Sequence, residues 1–476
     1  MSEEILIGRE KEIALLQQVS ESHKSEFVAL YGRRRVGKTF LVKTLFNQRY
    51  TFQLTGLSNS NTKGQLKNFY ANLLRFDPTV SNKEMPESWY DAFQLLISYL
   101  EKSTDDKKIV FIDELPWLDT LRSDFITALE HFWNGWAAHR NDILLIACGS
   151  ATSWMIEKLI NNRGGLHNRV TKRIHLQPFT LSETEAFLKM KGGVFERYEI
   201  VQLYMAMGGI PFYLEDIDVK KSIPQNIDRL FFSYDGLLKN EFQNLYQSLF
   251  RKAERHISII EALTKKSKGL TRNELAAATK LSKGGRFTVI LDELEQCGFI
   301  KKYLPFGKKN KGSLYQLIDP YSLFYLKFVK DSKSAGTGAW LTKIDHPSWR
   351  AWSGYAFESV CFYHLQNIKK HLQIGAVYTE VSSWKSQATE KGAQIDLVID
   401  RRDRVINLCE IKFSEKEFVI TKTYAENLKD KVAAFKEETG TKKSLFLTFL
   451  TTFGVKENQH STRLVQNQLT MNALFD

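Results

Sequence analysis

Residues Gly32-Arg33-Arg34-Arg35-Val36-Gly37-Lys38-Thr39 constrain this chain more than any other segment. They lie between a short apolar run, Glu26–Tyr31, which reads as a buried strand, and Lys38–Phe46, which is apolar at helical spacing. A glycine-rich turn in that context lets successive backbone N–H groups face phosphate oxygens. Lys38 would then reach the β- and γ-phosphates, and the Thr39 hydroxyl would hold Mg²⁺. The pattern implies a parallel α/β core of the ASCE P-loop type with ATP and Mg²⁺ as cofactors. All eight residues are candidates for the nucleotide cradle.

A second apolar strand, Lys108–Ile112, ends in Asp113-Glu114, 75 residues beyond Lys38. Asp113 is the candidate for the Mg²⁺ water shell, and Glu114 for orienting or deprotonating the attacking water. A third strand, Asp142–Cys148, runs into Gly149-Ser150. Ser150 either senses the γ-phosphate or caps the helix that follows.

These segments, with Ile7-Gly8-Arg9-Glu10 and Met207-Gly-Gly-Ile-Pro211-Phe-Tyr213, resemble the archaeal-type ATP-binding proteins of the AAA+/STAND-related group. The resemblance covers about residues 1–250. It implies that Gly8 and Arg9 lie beside the adenine and that Pro211 belongs to a helical lid over the nucleotide. It also implies a cationic contact from the segment before the last core strand, where Arg163, Arg169 and Arg173 all stand. Arg169 is the candidate arginine finger or γ-phosphate contact.

The chain is 43% hydrophobic with only 9 Pro, which excludes a disordered or collagen-like polymer. No apolar run approaches the roughly 18 residues of a membrane span. With no leader-like N-terminus, the expectation is a cytoplasmic protein without a membrane partner. Cys148, Cys297, Cys361 and Cys409 lack zinc or disulfide spacing. The net charge of +13 is uneven: residues 251–333 carry 18 Lys and Arg against 8 Asp and Glu. Such a local excess favours a polyanion, and nucleic acid, DNA first, is the expected partner.

That basic stretch reads as helix, helix-turn-helix, then a hairpin. Thr271 stands three before Glu274, a capping box. Phe287–Gln296 follows as a recognition-type helix, and Lys301–Leu317 as two strands around Gly307–Gly312. This is the order of a winged helix, with Lys283 and Arg286 at the helix start and Lys308, Lys309 and Lys311 on the wing as phosphate contacts. Packing against neighbouring domains is the competing use of such a module.

Beyond residue 341, Gln394–Asp400 and Val405–Lys412 read as a hairpin, after a helix that carries Glu358. On a strand Glu410 and Lys412 share one face. Glu358, Asp396 and Glu410-x-Lys412 together resemble the PD-(D/E)XK restriction-endonuclease-like fold. They also resemble the domain of unknown function that follows the lid and winged helix in this ATPase group. The resemblance implies Asp396 and Glu410 as Mg²⁺ ligands, Lys412 beside the nucleophile, and Glu358 in support. Lys429 and Lys431 are further candidates for a DNA backbone contact.

The expected organisation is a P-loop core over 1–180, a helical lid over 181–250, a winged helix over 251–330, a linker over 331–341 and a nuclease-like α/β domain over 342–476. The expected activity is ATP hydrolysis coupled to engagement and metal-dependent cleavage of nucleic acid, in a homo-oligomer or with a protein partner. The alternative is a nucleotide-switched regulator or scaffold whose nuclease-like domain does not cut.

Overall fold

The computed structural model describes residues 5–476 apart from 48, 163, 251, 267–268, 309–311, 333–337, 344–345 and 387–392. Its backbone divides into two compact units, Met1–Pro178 with Leu249–Arg251, and Phe179–Ser248 with Lys252–Asp476.

The first unit contains α1 (Glu10–Ser20), β1 (Glu26–Tyr31), α2 (Lys38–Leu45), β2 (Phe52–Thr55), α3 (Thr62–Phe76), α4 (Trp89–Lys102), β3 (Lys108–Asp113), α5 (Phe125–Gly135), β4 (Ile143–Gly149), the short α6 (Thr152–Trp154) and β5 (Lys172–His175). The five strands form one parallel sheet of order β2-β3-β4-β1-β5. Parallel strands are covered on both faces and so read as unbroken apolar runs, and every residue of β4 is buried. On one face Val110, Ile112, Leu145 and Ala147 pack with Leu96 and Phe93 of α4 and Leu129 and Phe132 of α5. A Ser88–Asp91 capping box starts α4. The register aligns Tyr31 with Gly149 and Thr55 with Asp113, so the carboxyl ends of these strands lie along one edge.

The second unit opens with α7 (Leu181–Met190), α8 (Arg197–Met207), α9 (Pro211–Glu215), α10 (Ile223–Phe231) and α11 (Glu241–Leu249). Seven consecutive or near-consecutive residues of α8, from Ile200 to Met207, are buried, as expected of a helix surrounded by others. The basic stretch supplies α12 (Ala253–Thr264), β6 (Leu270–Thr271), α13 (Arg272–Thr279), α14 (Gly285–Gln296), β7 (Ile300–Tyr303) and β8 (Leu314–Leu317). The three strands pair antiparallel in the order β6-β8-β7. The Thr271–Glu274 capping box is formed. α15 (Pro320–Phe324) then buries Tyr321 and Phe324.

The expected linker ends in an anchor. Residues 333–337 lie outside the described set, but the N–H groups of Gly338 and Trp340 both donate to the buried Asp228 carboxylate at 2.6 Å. Trp340 is itself buried against Phe232, Phe324 and Phe328.

The C-terminal part comprises α16 (Pro347–Tyr363), α17 (Leu365–His371), β9 (Thr379–Lys385), β10 (Gln394–Arg401), β11 (Val405–Lys412), α18 (Lys422–Thr439), β12 (Ser444–Thr451), α19 (Gln459–Leu464) and β13 (Asn467–Thr470). Its sheet runs β13-β12-β11-β10-β9. β9, β10 and β11 are antiparallel, whereas β11, β12 and β13 are parallel, with α18 as the β11–β12 crossover. Ile406 and Leu408 pack with Phe435 of α18 on one face. Alternation sends Cys409 to the other face, where Cys361 of α16 lies near it. The four cysteines are free and buried. No described helix is long and apolar enough to cross a membrane.

Candidate functional site: a nucleotide loop and a buried carboxylate cluster

The loop after β1 has the backbone that a phosphate cradle requires. Gly32 takes φ +146°, and a Cβ there would lie 2.3 Å from the Leu176 carbonyl oxygen, so only glycine fits. Arg35 (φ 72°) and Gly37 (φ 91°) are also left-handed, and Gly37 caps α2. Alternating handedness of this kind turns N–H groups inward, and the α2 N-terminus adds its own unpaired donors.

Lys38 is the first residue of α2 and only 6% exposed. Its ammonium donates to the carbonyls of Gly32 (2.9 Å) and Arg33 (3.0 Å). Among the described residues no carboxylate lies within ion-pairing distance of it. The Thr39 hydroxyl donates to Asp113 Oδ2 at 2.7 Å, bringing the two expected Mg²⁺ residues together. Arg9, left-handed and buried, donates to the Val36 carbonyl at 3.3 Å and so braces the loop from the N-terminal segment. Arg33 and Val36 are buried with it, while Arg34 is exposed.

Glu114 also adopts a left-handed conformation (φ 46°). Its Oε2 accepts from the Ser150 hydroxyl at 2.7 Å and the Ser150 N–H at 3.2 Å. Ser150 therefore does not cap the helix after β4; its side chain holds the acidic residue of the neighbouring strand end. The topology explains this, because β4 lies between β1 and β3. Beneath them burial pushes the Cys148 thiol well up, with Asp113 adding to the effect. Burial holds the His175 imidazole below its usual value, reinforced by Lys38, and the ring stacks on Tyr31 at 4.7 Å. Hydroxyl, carboxylates and an ammonium lacking a counter-carboxylate suit a magnesium–nucleotide complex.

Arg169 is exposed. Leu166 and Val170 anchor the segment in the core, so the intervening turn faces outward. Arg173 is exposed as well, and Arg163 lies outside the described residues. In the second unit Pro211 is the first residue of α9, and Tyr213 donates to Glu241 Oε1 at 3.0 Å.

At the basic module, Lys283 and Arg286 are exposed before and within the first turn of α14. Arg272 shapes that turn by donating to the Lys283 carbonyl (2.6 Å) and the Thr288 hydroxyl (3.1 Å). The β7–β8 hairpin is bonded at its base to the C-terminal elements. The Phe306 N–H donates to the Ser383 carbonyl of β9 at 2.9 Å, and its ring packs on Phe435 at 4.9 Å. Tyr355 of α16 donates to the Leu317 carbonyl at 3.1 Å. Lys308 is exposed just beyond this junction, whereas Lys309 and Lys311 lie outside the described residues.

Asp396, Glu410 and Lys412 come together. Glu410 is 1% exposed. Its Oε1 accepts from Lys431 at 2.7 Å, and its Oε2 from Tyr424 at 2.9 Å, with the Lys412 ammonium 3.4 Å away. Burial raises the Asp396 carboxyl, as does Glu410, against the opposing pull of Lys412 and Lys431. Gln394 Nε2 donates to Asp396 Oδ1 at 3.2 Å, while the Gln394 amide oxygen is buried without a hydrogen-bond partner. Glu358, on α16, lies near Tyr355, Tyr303 and Cys361. Burial, chiefly, lifts the Tyr303 hydroxyl to about 12.

Sequence reasoning placed Lys431 on a solvated or DNA-facing helix surface, and the structure corrects that. Tyr424 and Lys431 are seven apart on α18, so both drop onto the face that covers Glu410, while Lys429 stays exposed. The i, i+4, i+7 stripe of Tyr424, Leu428 and Lys431 carried the signal. Among the described residues no group of three His, Cys, Asp or Glu is arranged for a metal. Two carboxylates and an unpartnered amide oxygen are nevertheless hard-oxygen donors of the kind Mg²⁺ accepts alongside water.

Two family models match separate parts of the chain. Residues 6–217 match the model of an ATPase domain predominantly from Archaea, and residues 325–426 match archaeal and bacterial proteins of unknown function. An uncharacterised protein of Methanocaldococcus jannaschii is 25% identical over 430 residues, covering 89% of this chain and 91% of the relative. Among solved structures, a Walker-type ATPase of Pyrococcus abyssi aligns with a TM-score of 0.48 at 18% identity, over 68% of this chain and 96% of its own. The ORC2 protein of Aeropyrum pernix aligns with a TM-score of 0.40 at 14% identity, over 68% and 93%. The chain is thus similar over residues 6–217 to an ATPase domain found predominantly in Archaea, and over residues 325–426 to archaeal and bacterial proteins of unknown function.

Proposed function

We propose that this protein hydrolyses ATP at the loop after β1, engages nucleic acid, DNA by preference, through the module at 251–330, and cleaves it at Asp396, Glu410 and Lys412. The observation that carries the ATPase part is Lys38, buried and bonded only to its own loop's carbonyls, beside a Thr39–Asp113 pair. Lys38 and the loop N–H groups would bind the β- and γ-phosphates. Thr39 and Asp113 would hold Mg²⁺, which neutralises charge on the phosphates when bound. Glu114 would orient the attacking water once Ser150 lets its carboxylate turn toward the nucleotide.

Nucleic-acid engagement is supported by the basic excess and by exposed Lys283 and Arg286 at the head of α14. The docked wing base narrows this surface to the α13–α14 turn. For cleavage, Asp396, Glu410 and the Gln394 amide oxygen would hold Mg²⁺, which supplies an activated water and charge neutralisation at a phosphate. Lys412 would orient the nucleophile. The lid helices share one compact unit with the basic module and the C-terminal sheet, so a nucleotide-driven displacement of the lid would move elements bonded to both.

A second reading has one specific observation behind it. Glu410 is already saturated by two lysines and a tyrosine, which suits a regulator or scaffold that does not cut. The deciding experiment is cleavage of plasmid, linear and single-stranded DNA with Mg²⁺ or Mn²⁺, with and without ATP. Wild type, Asp396→Ala and Lys38→Ala are compared. Cutting that disappears in Asp396→Ala supports the nuclease, and a change in Lys38→Ala shows control by ATP. No cutting with intact ATP turnover and DNA binding supports the regulator.

A further inference from the structure

The charges around Glu410 balance without any added ion. Asp396 and Glu410 carry two negative charges when ionised, and Lys412 and Lys431 carry two positive ones. Lys431 makes the shorter contact with Glu410, 2.7 Å against 3.4 Å for Lys412. Both carboxylate oxygens of Glu410 already accept a hydrogen bond, from Lys431 and Tyr424. A divalent cation entering this set meets a neutral cluster with an ammonium on the carboxylate it needs. In such a buried place the repulsion between the two cations is several times what it is in water.

One ammonium has to leave a Glu410 oxygen, and it is Lys431, which is hydrogen-bonded to Oε1 at 2.7 Å; Lys412, 3.4 Å away with 29% of its side chain exposed, occupies neither oxygen by a hydrogen bond. Lys412 is two residues from Glu410 on the same strand and sits over the Tyr424 ring at 5.7 Å, so its position follows the strand. Lys431 reaches across from α18 at the end of a flexible four-carbon stem and keeps 19% of its side chain exposed, which gives it a way out to solvent.

We propose that Lys431 is an internal counter-ion that competes with a divalent cation for Glu410. Bound, it keeps the carboxylate pair closed to metal; withdrawn, it opens the pair. The inference rests on the cleavage reading above, and it makes α18 the element that sets the metal requirement of the C-terminal site. Lys431 is a positioning residue here, acting on the site through Glu410.

The test is Mn²⁺ binding to the full-length, nucleotide-free protein, followed by electron paramagnetic resonance of free Mn²⁺. Wild type, Lys431→Met and Lys431→Arg are measured, with Asp396→Asn identifying the site. Lys431→Met is expected to bind Mn²⁺ about tenfold more tightly or better, and Lys431→Arg to match wild type. Equal affinity in wild type and Lys431→Met overturns the proposal. If that shared affinity depends on Asp396 the cleavage reading survives, and if neither binds, both readings fall. A measurement on wild type guards against a poorly folded variant: acetylation of Lys431, read by peptide mass spectrometry, should rise several-fold when Mn²⁺ is added. No rise overturns the proposal.

Discussion

Lys38 and Lys431 are both ammonium groups held largely out of water, and the structure satisfies them differently. Lys38 donates to two backbone carbonyls of its own loop. Lys431 donates to a carboxylate from another element, in a cluster whose charges cancel. Carbonyl dipoles solvate a cation without neutralising it, so Lys38 keeps its attraction for an anion. A carboxylate neutralises its partner, so Lys431 contributes to the packing of α18 on the sheet and leaves little field for a ligand. The same residue type thus keeps an uncompensated charge in one unit and is charge-paired in the other.

The sharpest way to break this comparison is to remove the charge at each place. Lys38→Met should lower ATP turnover by ~100-fold or more in a steady-state phosphate-release assay, since a preorganised cation is lost. Its stability should change by only about 1 kcal/mol, because no buried carboxylate is orphaned. Glu410→Ala should do the reverse. It leaves two lysines and a buried tyrosine without their acceptor, and denaturant unfolding should show a loss of about 3–5 kcal/mol with ATP turnover preserved. Equal stability losses in the two variants would refute the distinction.

A buried titratable group with neutral partners sharpens it further. His364 Nε2 accepts from the Leu181 N–H at 3.0 Å, and Nδ1 donates to the Val360 carbonyl at 2.8 Å. Burial is the main cause that lowers its pKa to about 4. The unfolded chain takes up the proton near the ordinary value of about 6.5, before the folded one does. Stability from this group is therefore complete above about pH 6.5 and is lost as pH falls toward 4, by about 3 kcal/mol in all. His364→Asn should flatten that part of a stability-versus-pH curve.

Two smaller effects test the edges of each site. Ser150→Ala removes the hydroxyl hydrogen bond to Glu114 and leaves the one from the residue-150 N–H, and it should change ATP turnover by no more than about tenfold, with little change in nucleotide affinity. Lys283→Ala with Arg286→Ala should weaken DNA binding at all sequences and reduce the salt slope of log K by about two. Lys308→Ala, just beyond the docked Phe306, should shift that slope by less than one, measured by fluorescence anisotropy across a salt series.

The nucleotide loop was legible because its residues are contiguous. Gly32 to Thr39 form one turn, and their spacing encodes the backbone path that brings Lys38 and the loop carbonyls together. Asp113 and Glu114 were legible from the buried strand that precedes them. The Glu114–Ser150 bond was not, because it depends on β4 inserting between β1 and β3, and strand order is absent from local pattern. In the C-terminal part the strand alternation revealed Glu410 and Lys412, and the hairpin brought Asp396 to them. Glu358 looked like a fourth member by order along the chain, and it lies on α16 near Tyr355, Tyr303 and Cys361.

Sequence alone determined the parallel P-loop core, the Thr271–Glu274 helix cap, the basic excess of residues 251–333 and the two-residue period that puts Glu410 and Lys412 on one face. Each of these is written within a few residues of backbone and follows from local sterics and hydrogen bonding. Tertiary structure alone decided that Lys431 and Tyr424 close over Glu410, that Phe306 beyond β7 docks on β9 and α18, and that Asp228 accepts from the N–H groups of Gly338 and Trp340. These outcomes depend on which elements meet across the fold. A buried carboxylate takes whichever donors the packing brings within about 3 Å, and that choice is made only once the chain has folded.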